Sequence, residues 1–134
     1  MVGLRRYMES HLDELKSLDT RLLNYETIAH SVIAILTSET DGMAKNPLFL
    51  VKSVVAAAQR AGVPFKVKPT SLGTGSDKSP FSPAVLEAAT LLDFKVQQMV
   101  AYYHQECHTP EILTIEPLLN VLKLTIEWVK NGGE

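Results

Sequence analysis

The chain has 134 residues, of which 46% are apolar, 21% charged and 7% aromatic, and its 13 basic residues face 15 acidic ones for a net charge of −2. So high an apolar fraction with so little net charge excludes a disordered chain, and the length suits one domain, 1–134, with a core of its own. No apolar run reaches the roughly 18 residues that a membrane helix needs.

The mixed charges after Met1-Val2-Gly3-Leu4-Arg5-Arg6 do not read as a secretory signal. A single cysteine, Cys107, rules out a disulfide framework within the chain and fits a reducing, cytoplasmic setting.

Leu4, Met8, Leu12 and Leu15 recur every three or four residues and predict a helix over about 4–17. Tyr25, Ile28, Val32, Ile35 and Leu36 continue a similar period and predict a second over about 20–37. The polar stretch 37–45, with Asp41-Gly42, reads as a loop. Asn46-Pro47 then supplies an N-cap and an initiating proline for a helix that carries Leu50, Val51, Val54, Val55 and Ala58 and stops at Gly62. Residues 62–82 form a long loop with little apolar period. Connections of that length are either functional or disordered.

Ser82-Pro83 predicts a further helix with the stripe Val85, Ala89, Leu92, Val96, Met99, Tyr103, Cys107, ended by Thr109-Pro110. A last helix begins near Thr114-Ile115-Glu116-Pro117 and ends at Gly132. It is apolar around so much of its circumference that it is either central to the core or covered by a partner. The fold expected from these patterns is all-α, a compact bundle of four to five helices with one long loop at about 62–82.

No catalytic set is complete. Gly73-Thr74-Gly75-Ser76-Asp77-Lys78-Ser79 lacks the glycine before Lys-Ser and the preceding strand of a phosphate loop. His104 and His108, one helical turn apart, offer the alternative of a small metal- or ligand-binding bundle. With His30 far upstream, they loosely resemble the three-histidine metal site of DinB-like four-helix proteins, which needs all three rings to converge inside the bundle. Cys107 between them occupies the apolar stripe, so no metal and no cofactor is expected.

Charge placement says more. Residues 1–41 carry seven acids and four bases, a net −3, and residues 83–134 carry seven acids and three bases, a net −4. Between them Lys45, Lys52, Arg60, Lys66, Lys68 and Lys78 stand against Asp77 alone, a net +5. Lys45, Lys52 and Arg60, spaced by seven and eight, predict one outward face of the capped helix. Such a patch suits an acidic protein partner. It lacks the aromatic and arginine density of a nucleic-acid platform. Val121, Leu124 and Trp128 share one side of the last helix, as core or as a homodimer seam.

Phe49-Leu50-x-Lys52, Gly62-x-Pro64, Lys68-Pro69 and Gly75 resemble a stretch of the calponin-homology-like domains of intraflagellar-transport proteins, and are most similar to the tubulin-binding type related to kinetochore microtubule-binding subunits. The resemblance covers about 46–92. It implies an all-α fold and makes Lys52, Lys66 and Lys68 contacts for the acidic tails of tubulin. The expected function is a non-catalytic interaction domain, without membrane or nucleic-acid partners.

Overall fold

Ile33-Ala34-Ile35-Leu36 is apolar at every position, and a run of four with β-branched residues at alternate places satisfies a strand buried on both faces better than one stripe of a helix. A computed structural model describes residues 2–39, 44–69, 76–78, 86–93, 95, 105–106 and 109–134. Its elements are α1 (Val2–Ser17), β1 (Arg21–Glu26), β2 (Ile33–Leu36), β3 (Ser38–Glu39), β4 (Ala44–Lys45), α2 (Leu48–Arg60), β5 (Phe65–Lys68), β6 (Glu87–Asp93), a 3-10 turn (Pro110–Ile112) and α3 (Ile115–Lys130).

Strands β1, β6, β2 and β5 form a mixed sheet in that order, and β3 and β4 a separate two-stranded ladder. β1 runs parallel to β6, with Arg21 opposite Glu87, and β5 runs parallel to β2, with Ile33 opposite Phe65. The two pairs join where β2 meets β6 antiparallel, Ile33 opposite Asp93. This is an α/β fold, and the all-α bundle expected from the sequence, together with the all-α fold implied by the calponin-homology-like resemblance, is overturned by the sheet.

Two of the expected helices and the long loop need separate accounts. The stretch 20–37 is β1, a turn and β2, and Leu23 and Tyr25 alternate with Leu22, Asn24 and Glu26 rather than following a helical period. The expected helix from Ser82-Pro83 meets strand β6 instead. Glu-Ala-Ala-Thr-Leu-Leu-Asp is built from helix formers, but a central strand selects for burial rather than propensity. Residues 82–85 and most of 96–108 lie outside the described residues. The long loop 62–82 contains β5. The helices at 2–17, 48–60 and 115–130 match their expected places.

One face of the sheet carries the main core. Ile33, Ile35, Ala89 and Leu91 meet Leu50, Val51, Val54, Ala57 and Ala58 from α2 and Leu124 and Trp128 from α3. Trp128 Nε1 donates to Ser53 Oγ at 2.9 Å, so the indole is satisfied between the two helices. Asn120 Nδ2 donates to the Ser31 carbonyl at 3.1 Å, and Tyr25 Oη lies 2.6 Å from Thr125 Oγ1. Together these fix the rotation of α3 on the sheet. Burial pushes the Tyr25 phenol above its ordinary pKa, against the opposing pull of that Thr125 bond.

On the opposite face α1 lays Leu4, Met8, Leu12 and Leu15 against Leu22, Leu86 and Ala88, yet none of its own residues is fully buried. Asn46 does not cap α2 through its side chain. Its Nδ2 instead donates to the Leu36 carbonyl at 2.6 Å, tying the start of α2 to the end of β2, and Pro47 takes the N-cap position. The far end closes as expected: Gly62 at φ 64° lets its own N–H reach Gln59 and that of Val63 reach Ala58.

Leu91→Ala is expected to cost roughly 2–5 kcal/mol, whereas Leu12→Ala on the half-exposed α1 costs about 1 kcal/mol or less. Urea unfolding of the two variants checks this, and equal losses would make α1 part of the main core. Gly62→Ala loses about 1 kcal/mol, because alanine resists a positive φ.

Candidate functional site

The six cations of the basic segment do not all reach solvent. Lys45 belongs to β4, so it is not on the α2 face with Lys52 and Arg60. Lys52 is exposed, while Arg60 turns toward α3, its Nε 4.0 Å from Glu127 and its Nη2 donating to the Glu134 carbonyl at 3.3 Å. Lys66 is exposed on β5, and Lys68 ends the same strand half-buried. Among the described residues β5 pairs only with β2 and is an edge of the sheet, where lysines also serve to discourage strand addition.

Lys78 departs furthest from expectation. It is 1% exposed, so it cannot greet a partner. Its ammonium sits 3.5 Å from Glu39 Oε1 and donates to Asn46 Oδ1. Glu39 in turn accepts from Ser76 Oγ at 2.6 Å and from Thr90 Oγ1, and Asn24 Nδ2 reaches Thr90 at 3.4 Å. Thr90 alternates with Ala89 and Leu91 along β6, which places this network on the face away from α2 and α3. Burial holds Lys78 below the usual lysine range, and Glu39 pulls the other way. Burial also raises Glu26, with Thr27 opposing through its hydrogen bond and Asp77 and Glu39 adding like charge. Every buried polar side-chain atom among the described residues has a partner. A network so fully satisfied internally ties strands together rather than waiting for a ligand.

A second polar pair lies where β6 ends. Asp93 is fully buried and accepts from the backbone N–H groups of Ala29 at 3.1 Å and Lys95 at 2.7 Å. His30 Nδ1 stands 2.6 Å from the same carboxylate. The carboxylate therefore pins the turn after β1 and the exit of β6 while orienting one half-exposed imidazole. Orientation of that kind suits a metal ligand or a base, but no group of three His, Cys, Asp or Glu suited to a metal occurs among the described residues. His104, Cys107 and His108 lie outside them.

The last helix presents the arrangement most open to a partner. Leu124 and Trp128 face inward and are buried, with Val121 packed beside them, so the side they share is core and not an oligomer surface. The opposite side is equally apolar. Ile115, Leu118, Leu119, Leu122, Ile126 and Val129 are each between 43% and 73% exposed. That is the equivalent of about three aliphatic side chains left wholly in water, and covering them is worth roughly 5–9 kcal/mol. Glu116, Lys123 and Lys130 rim this face, all exposed. The sequence signal for it was present in the spacing 115, 119, 122, 126 and 129, which runs beside the inner positions 117, 120, 124 and 128. Lys78 and Glu39, by contrast, lie 39 residues apart with nothing local to pair them.

Among the described residues no helix is long and apolar enough to cross a membrane. Compared with protein-family models, curated proteins and solved structures, the chain matches none.

Lys78→Met is expected to lose roughly 3–5 kcal/mol by stranding a buried carboxylate, and Glu39→Leu added to it recovers much of the loss. Folding depresses the lysine's pKa, so between the folded value and the ordinary ~10.4 the unfolded chain holds more protons and stability rises with pH. Denaturant titrations across alkaline pH should show that slope in the native chain and not in Lys78→Met. A neutral Lys78→Met would mean that the pair carries no net stability.

Proposed function

We propose that this chain is a non-catalytic protein-interaction domain whose docking surface is the outer face of α3. The observation that supports this reading is the exposed stripe from Ile115 to Val129, continuous along the helix and rimmed by charge. Contiguous apolar surface with a polar rim is characteristic of interaction sites, whereas singly scattered exposed leucines are ordinary. The helix beneath is held rigidly by Trp128, Asn120 and Tyr25, so a partner would meet a preformed surface and pay little ordering entropy. The single Cys107 supports an intracellular setting for such a domain.

A second reading keeps an acidic protein partner, tubulin among them, on the basic segment. The exposure of Lys45, Lys52 and Lys66 supports it, with Lys78 and Arg60 withdrawn from the set because they are held by Glu39 and Glu127.

A photo-crosslinking residue at position 122 is expected to capture protein, and the same residue at the exposed Asp13 of α1 is not. Equal capture at both positions, or none at either, removes the α3 reading. For the second reading, Lys52→Glu with Lys66→Glu should abolish salt-sensitive co-sedimentation with microtubules at an unchanged thermal midpoint. Equal native binding to an unrelated acidic polymer would reduce it to generic charge.

A further inference from the structure

The outer stripe of α3 has a period that narrows the choice of partner. Ile115, Leu119, Leu122, Ile126 and Val129 follow one another at intervals of four, three, four and three. A mean spacing of 3.5 places them along a straight seam, and such a seam accepts another helix lying at roughly 20° to the first. The residues behind the seam are already committed to α2 and the sheet, so α3 has one face paired and one face open.

The charges beside the seam distinguish among helices that could fill it. Along one flank stand Glu116, Lys123 and Lys130, each seven residues from the next. A parallel copy would set the flank carrying Glu116, Lys123 and Lys130 beside the other flank of its partner, where Leu118 and Thr125 offer no charge to pair. An antiparallel copy places Ile115 beside Ile126 of the other chain and Leu119 beside its Leu122. In that register Glu116 of each chain lies alongside Lys123 of the other, and the attraction occurs twice. The antiparallel arrangement also opposes the two helix dipoles.

Resting on the interaction reading of α3, we propose that the occupant of its outer face is a second copy of this chain, paired antiparallel about a two-fold axis between Asn120 and Val121. Isologous closure of this kind uses one self-complementary patch and leaves no open end for further growth. The seam is short, so the dimer is of moderate strength, with Kd on the order of 1–100 micromolar.

Sedimentation velocity over a concentration series, run at low and at moderate salt, tests this. The native chain is expected to pass from monomer to dimer as concentration rises. Leu122→Lys raises Kd by about tenfold or more, since one changed side chain is buried twice. Ile126→Lys serves as a second seam variant, judged with the first by an unchanged thermal midpoint. Glu116→Lys and Lys123→Glu each weaken the dimer several-fold, and the double reversal restores it, because the reversed charges again face one another. That rescue is a readout which non-specific clustering does not give.

A native chain that stays monomeric throughout overturns self-pairing, as does failure of the double reversal to rescue. If that monomer still captures another protein from position 122, the interaction reading stands and only the identity of the occupant falls. A monomer with no capture overturns both.

Discussion

The antiparallel pairing of β2 with β6 is the constraint on which the remaining structure depends. Both strands are buried on their two faces, and they join a parallel pair on one side to a parallel pair on the other. α2 and α3 pack on each other through Trp128 and Ser53. They are organised by Ile33, Ile35, Ala89 and Leu91 beneath them, and α1 draws its contacts from the opposite side of the same sheet. Removing the strand pair would leave amphipathic helices with nothing to cover.

The polar groups follow the same logic. The network of Glu39, Lys78, Asn46, Ser76 and Thr90 links the end of β2, the β3–β4 ladder and β6, and Asp93 ties the exit of β6 to the turn after β1. Asn46 and Asp93 act at strand ends, where backbone groups run out of ladder partners and side chains replace them. Their internal satisfaction explains why the most heavily charged part of the interior is read as support for the fold. The surface that remains unsatisfied is apolar, on the outside of α3. Two-sided apolarity costs a solvated helix free energy, and a partner helix would return it.

Much of the periodic structure was legible. The recurrence of Leu4, Met8, Leu12 and Leu15, the Gly62 stop of α2 and the apolar character of α3 each follow from local chemistry, and their helices lie where those signals put them. The apolar stripe of α3 was legible as a question, since its circumference held more apolar residues than one core face can use. The strands were not legible. Tyr25, Ile28, Val32 and Ile35 mimic a helical period by coincidence, and Ala88, Ala89, Leu91 and Leu92 are helix formers in a central strand. Two members of the basic cluster, Lys78 and Arg60, were misjudged for a different reason. Counting charge along the chain cannot tell that Lys78 folds onto Glu39 or that Arg60 leans on Glu127.

The sequence by itself determined where the three helices run and where α2 stops, because apolar periodicity and a positive φ at glycine act within a few residues. It also determined that α3 is apolar on two sides. Only the tertiary structure decided that the runs at 33–36 and 87–93 are strands, which side of α3 is core, and which lysines reach solvent. Those outcomes rest on pairings between residues tens of positions apart, and burial, which no local pattern encodes, chooses among the conformations that local propensity leaves open.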